Sequence, residues 1–260
     1  YEGKAGDNLV LTIDIDFQKE IEQIATDFLN SNVDSYNDRI YIVASDPNTG
    51  EILGMTGKQR STSNEIVDDA LGVINSSYGM GSAVKGAMVL TGYMSGVISA
   101  DNNVLVDEPL QFQGSNPKKS VFNPTIGNQV AINDIEALAR SSNVYMIKLA
   151  MLMGGQSTYE SGGTLNISPD LIDELRSYFA QFGLGVKTGI DLPNEGSGLT
   201  GFSQAAVNAG AQSFGKYDLY TTLQLSQYIN TIANGGTRYA PQLASEIRRT
   251  DANGALGALE

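Results

Sequence analysis

The stretch RIYIVASDPNTGEILGMTG, residues 39–57, limits the possible folds more than any other part of the chain. Two β-rich runs, Ile40 to Ser45 and Glu51 to Met55, flank Asp46-Pro47-Asn48-Thr49-Gly50. That linker is turn chemistry, because proline presets φ and glycine tolerates positive φ. The pattern predicts a β-hairpin. A lone hairpin is marginal in water, so other elements have to cover it and extend it.

The rest of the sequence offers mostly helices. A strand is expected around Leu9 to Ile13, and Phe17, Ile21, Ile24, Ala25, Phe28 and Leu29 then recur at helical spacing, with Asp14 and Asp16 available as caps. The spacing predicts a helix with one buried face. SAVKGAMVLTGYMSGV, from Ser82, reads as a second helix, in which Gly86 and Gly92 point to close packing. Residues 101–131 are rich in Asn, Pro, Gly and Asp without periodicity, which predicts a long surface loop. NDIEALARSSNVYMIKLAMLMGG starts with the capping residues Asn133 and Asp134 and suits two helical pieces interrupted near Ser141 to Asn143. Two more helices are expected at about Pro169 to Phe182 and Leu219 to Ala233, the latter closed by Asn234-Gly235-Gly236.

Composition removes several kinds of chemistry. The chain has no cysteine and no histidine, which excludes Cys/His zinc sites, thiol nucleophiles and a Ser-His-Asp triad within it. A hydroxyl activated here needs a lysine, a carboxylate or another hydroxyl. The formal charge of −13 argues against nucleic acid or an anionic membrane face as a partner. No stretch approaches the ~18 apolar residues of a spanning helix, so any export signal or anchor is expected upstream of residue 1.

Ser82 and Lys85 stand three residues apart, preceded by Gly79 and Gly81. That spacing stacks the two side chains on one helix face, and the helix start favours negative charge. A serine needs a base, and a lysine becomes one only when its surroundings lower its pKa well below ~10.4. Val84 and Gly86-Ala87-Met88 form such an apolar setting. Taken alone, S-x-x-K also describes a helix cap with an ordinary surface lysine, and Ser141-Ser142-Asn143 alone also describes the N-cap of a second helix.

The two patterns together resemble the active-site serine penicillin-recognising family. LTIDIDFQKEIE, DPNTGEILGM, GSAVKG, ARSSNVYMIKLA, FGLGVKTGIDLPNE, LQLSQYINTIANGG and YAP are similar, in order, to segments of class B penicillin-binding proteins, most closely the streptococcal 2B type, along nearly the whole chain. The resemblance implies an α+β fold, an antiparallel sheet flanked by helices plus an all-helical lobe. Residues 1–75 and part of the C-terminal region would belong to the sheet lobe, and about 82–235 to the mainly helical lobe, of the N-terminal portion of a transpeptidase domain.

It further implies a D-Ala-D-Ala transpeptidase. Ser82 would be the acylated nucleophile and Lys85 its base. Ser141 would relay a proton to the leaving amine, and Asn143 would hold Lys85 and the substrate amide. The implied partners are peptidoglycan stem peptides, β-lactams, and cell-wall synthesis and division proteins. The implied location is the outer face of the bacterial membrane, through an upstream anchor, and no cofactor or metal is required. A β-lactamase of the same fold and a non-catalytic β-lactam sensor are the competing readings; turnover of a chromogenic cephalosporin separates the first.

Lys187-Thr188-Gly189 spells the family's K-T-G triplet but lies among glycine, proline and turn formers, so it is expected to be a turn. In the family that the chain resembles, the catalytic triplet and the remaining sheet strands follow the helix ended by Asn-Gly-Gly, so they are expected outside these 260 residues, on a separate chain or a missing segment. Met80 stands where the family usually has proline, and Gly215-Lys216 where it usually has Gly-Gln.

Overall fold

A computed structural model describes residues 6–33, 36–201, 210–213, 215–251 and 255–259. The elements run β1 (Asn8–Leu11), α1 (Ile15–Ser31), β2 (Arg39–Ser45), β3 (Ile52–Arg60), β4 (Ile66–Asp68), α2 (Gly72–Asn75), β5 (Ser77–Tyr78), α3 (Lys85–Met94), β6 (Leu105–Asp107), β7 (Val130–Ile132), α4 (Asp134–Ala139), α5 (Asn143–Met153), α6 (Leu171–Gln181), β8 (Tyr220–Thr221), α7 (Thr222–Ala233), β9 (Ala244–Thr250) and β10 (Leu256–Leu259). The chain divides into two compact units. One holds residues 1–77, 186–197 and 221–260, the other 78–185 and 198–220.

The first unit carries the two larger sheets. The hairpin is antiparallel, with Tyr41 opposite Gly57 and Val43 opposite Met55, and β4 extends it beyond β3. The second sheet orders β1-β9-β10, with Leu9 opposite Ile247. Helix α1 starts where the Asp14 carboxylate accepts from the N–H groups of Asp16 and Phe17, satisfying donors that a first turn leaves unpaired. It lies close on β3 at Gly54, where a Cβ would come 2.9 Å from both Ile21 and Phe17. The Gln18 side chain donates to Met55 O and accepts from Met55 N, both at 2.9 Å.

Only part of the apolar stripe of α1 is covered. Ile21, Ala25 and Leu29 are buried, whereas Ile24 and Phe28 are exposed, so its buried face is one narrow i, i+4 row. Ile52, Val73, Ile74, Ile190 and Leu223 form a core cluster in this unit. Helix α7 is fixed to β2 through Ser45, whose hydroxyl lies 2.9 Å from Ser226 Oγ and accepts from Asn230 Nδ2 at 2.8 Å. Among the described residues no strand pairs with the other edge of β2.

Lys187-Thr188-Gly189 belongs to this unit and is not a strand. Lys187 is exposed and Gly189 has φ +87°. The Glu195 carboxylate gathers the segment by accepting from Thr188 N, Thr188 Oγ1 and Gly189 N.

The second unit is largely helical. Helix α5 buries Val144, Tyr145, Met146, Ile147, Leu149, Ala150 and Met151. Gly92 lets α3 approach it, since a Cβ there would sit 3.1 Å from Leu149 Cδ2. Leu110, Phe112, Val144, Ile147 and Met151 form the core cluster. The expected surface loop at 101–131 contains a small antiparallel pair, β6 with β7, with Asp107 opposite Val130. Its three-residue strands are too short to leave a readable period of two.

Candidate active site

Ser82 and Lys85 are joined by a tighter turn than the α-helix expected from Ser82 onward. Residues Gly81–Val84 form one 3₁₀ turn, and α3 proper begins at Lys85, whose N–H bonds Ser82 O. Three residues per turn eclipse positions i and i+3, so the two residues still share a side. Gly81 has φ +54° and donates its N–H to Gly215 O at 3.1 Å. A Cβ on Gly215 would come 2.2 Å from Gly81 O. Glycine is required at this backbone crossing, directly ahead of Ser82.

Ser82 is exposed, and its hydroxyl makes no hydrogen bond among the described residues. Lys85 is the opposite, only 2% exposed. Its Nζ donates to Ser141 O at 2.7 Å, Ser141 Oγ at 3.0 Å and Asn143 Oδ1 at 2.8 Å. These bonds bring Lys85, Ser141 and Asn143 together; none links them to Ser82.

Burial, and then the positive charge of Lys216, lower the Lys85 pKa from 10.5 to about 8, against the opposing pull of Asp107. All three partners of Nζ are neutral oxygens. A protonated amine fills all three with its own hydrogens, whereas a neutral amine has only two N–H bonds and a lone pair. Of the three acceptors, only the Ser141 hydroxyl can then reverse and donate.

The turn between α4 and α5 places these acceptors. Helix α4 has a capping box between Asn133 and Glu136, and the chain leaves it through Ser141, a non-glycine residue at φ +52°. That conformation costs ~1 kcal/mol or more and persists only where the surroundings enforce it. The Ser142 hydroxyl caps α5 by accepting from Tyr145 N at 2.9 Å. Asn143 Nδ2 donates to Lys119 O at 3.1 Å, which turns the amide oxygen toward Lys85.

Beneath the turn lies a buried polar group that the sequence does not disclose. Asp107, Ser120 and Ser142 are each 1% exposed or less. Both hydroxyls donate to Asp107 Oδ2, Ser142 at 2.5 Å and Ser120 at 2.6 Å. Asp107 and Ser120 come from the stretch read as a surface loop, and no spacing ties either of them to Ser141. Among the described residues no group of three or more carboxylates is placed to hold a metal.

The family described as penicillin binding protein transpeptidase domain matches residues 40–259. The chain is 46% identical over 267 residues to penicillin-binding protein 2A of Bacillus subtilis, covering 99% of this chain and 36% of that protein. It is 26% identical over 253 residues to the peptidoglycan D,D-transpeptidase FtsI of Escherichia coli, covering 95% of this chain and 38% of that protein. The solved structure of penicillin-binding protein 2B from Streptococcus pneumoniae strain R6 superimposes with a TM-score of 0.91 at 36% identity, covering 99% of this chain and 42% of that one. The chain thus spans little more than a third of the length of the curated relatives it matches.

Proposed function

From the premise that the chain belongs to the penicillin-binding protein transpeptidase domain family, we propose that it carries the acylation machinery of a serine D,D-transpeptidase that cross-links peptidoglycan stem peptides. The observation that carries this reading is Lys85, a buried lysine with a lowered pKa, held by three neutral oxygens one 3₁₀ turn after an exposed serine.

In the proposed reaction the neutral Lys85 amine takes the Ser82 hydroxyl proton as Oγ attacks the carbonyl between the two terminal D-alanines. A C–O bond forms, and the carbonyl π pair moves onto oxygen. The backbone N–H of Ser82 is one donor to that oxyanion, a contact typically worth about 3 kcal/mol. Collapse breaks the C–N bond. The Ser141 hydroxyl hands its proton to the departing amine and recovers one from Lys85, so no water is needed. Asn143 keeps Lys85 in place and binds the substrate amide. A second amine then attacks the acyl-enzyme and regenerates Ser82. A β-lactam enters by the same attack, but its leaving nitrogen stays tethered and the ester persists.

The native partners under this reading are stem peptides and the cell-wall synthesis and division machinery, at the outer face of the membrane. No helix among the described residues is long and apolar enough to cross a membrane, so anchoring would fall to a segment outside them. Lys187 takes no part in the proposed chemistry; it is exposed in an irregular, non-strand segment of the sheet unit. Intact mass after incubation with benzylpenicillin tests the assignment. The wild type gains one covalent penicilloyl group and Ser82→Ala gains none; equal labelling of both discards Ser82.

A further inference from the structure

Asp107 is a buried carboxylate that takes no part in the proton transfers proposed for Ser82, Lys85 and Ser141. It ends β6, is 1% exposed, and stands 34 residues before Ser141 (141 − 107). Its Oδ2 receives the protons of Ser142 Oγ and Ser120 Oγ, at 2.5 and 2.6 Å. Asn123 Nδ2 donates to Oδ1 at 3.1 Å and to the Asp107 main-chain oxygen at 2.8 Å.

A serine hydroxyl has one proton, so a hydroxyl that gives it to Asp107 can only accept from its other neighbours. Both do. Ser142 Oγ accepts from Tyr145 N at 2.9 Å, and Ser120 Oγ accepts from Asn143 N at 3.0 Å and Val144 N at 3.3 Å. One carboxylate thereby fixes the polarity of two hydroxyls, and these receive the first N–H groups of α5. Immediately ahead lies Ser141 at φ +52°, whose two oxygens, with Asn143 Oδ1, hold Lys85 Nζ.

We infer that Asp107 is a positioning residue for acylation: through Ser120 and Ser142 it clamps the α4–α5 turn so that Ser141 and Asn143 present their oxygens to Lys85. The inference rests on the proposed role of Lys85 as base. The clamp also carries charge. Asp107 from β6 favours the protonated lysine, while burial and Lys216, from the segment that crosses Gly81, oppose it; Ser141 and Asn143 are neutral. Asp107 and Lys216 therefore act on the Lys85 proton in opposite directions.

The test is the second-order acylation rate with a fluorescent penicillin, measured against pH in the full natural chain. Asp107→Asn keeps the shape but replaces an accepting oxygen with a donating NH₂. The midpoint is expected to fall by on the order of 1 pH unit as the anion is lost, and the high-pH plateau to fall ~10-fold or more as the turn loosens. Lys216→Gln is expected to move the midpoint upward. Ser120→Ala cuts the link to α5 but keeps the charge, so the plateau falls and the midpoint stays.

If Asp107→Asn does not fold, Ser120→Ala decides: a lowered plateau at an unmoved midpoint supports the clamp, and wild-type rates overturn it. An Asp107→Asn profile that superimposes on the wild type also overturns the inference and leaves the Lys85 reading intact. Acylation of Ser82→Ala, or a wild-type rate independent of pH, refutes that reading instead.

Discussion

Two lysines of the helical unit, Lys85 and Lys148, show how the same residue type serves different ends. Lys148 projects from α5 with its side chain 14% exposed and meets a carboxylate, Glu108 Oε1, at 2.8 Å. Its Nζ also lies 5.8 Å from the centre of the Tyr159 ring. Burial works to raise the Glu108 pKa, but hydrogen bonds from Lys148 and Gln129 and the charge of Lys148 hold it below the ordinary carboxylate range. Lys85 is buried more deeply, and the atoms that touch its Nζ are neutral oxygens. A lysine against a carboxylate forms a structural ion pair. A lysine against neutral oxygens is solvated well enough to stay buried, yet can still give the proton up.

The comparison is most readily broken at Lys85. Lys85→Arg keeps the charge but not the ability to lose it, since guanidinium does not deprotonate in proteins. Acylation by penicillin is expected to fall ~10³-fold or more, while thermal unfolding followed by circular dichroism still shows a cooperative transition. Near-wild-type acylation in this variant would remove the lysine from the chemistry.

Glu108→Gln probes the other lysine. It leaves Lys148 mostly buried without its countercharge, at an expected cost of ~2 kcal/mol once residual exposure is discounted. The acylation midpoint is expected not to move. Glu108 also gives this pair a pH signature. Because its folded pKa is lowered, its stabilisation is complete above the unfolded value and disappears as pH falls through the folded one. The stability difference between wild type and Glu108→Gln, measured by urea unfolding, is therefore expected to shrink in acid; a constant difference would mean that the pair contributes no charge interaction.

The smallest effect is expected at a third lysine, Lys187. In its exposed, irregular segment, Lys187→Ala is expected to change stability by less than ~0.5 kcal/mol and to leave acylation unchanged. A large loss of acylation would restore a catalytic role to this K-T-G. Glu195→Ala separates this segment from the chemistry: it removes the acceptor for Thr188 and Gly189 and is expected to cost about 1–3 kcal/mol with the acylation midpoint unmoved.

The contrast between the lysines also marks how far the sequence could be read. The hairpin was legible because alternating β-rich runs and the Asp-Pro-Asn-Thr-Gly turn act locally, and the break between α4 and α5 because Ser142 is a cap within its own segment. Lys85 could be expected from three residues of spacing and its apolar neighbours. Asp107 could not. It reaches Ser142 across 35 residues, from a three-residue strand inside a stretch without period, and no local rule links an aspartate there to a serine so far away. The exposed half of the α1 stripe misled for a related reason. Helical spacing shows that a face is apolar, but not which rows a sheet will cover, and here Ile24 and Phe28 remain outside. The residue that meets the backbone just ahead of Ser82, Gly215, lies far along the chain from Gly81.

The claim on which the mechanism turns is that Lys85 sheds its proton at about pH 8, well below an ordinary lysine. The direct measurement is an NMR titration of the lysine ¹³Cε resonances, with Lys85 assigned by comparison with Lys85→Arg. The expected result is one resonance titrating at about 8, far below the ordinary lysine value of 10.5. A Lys85 resonance that stays protonated until pH ~10 or above, like a solvated lysine, would contradict it.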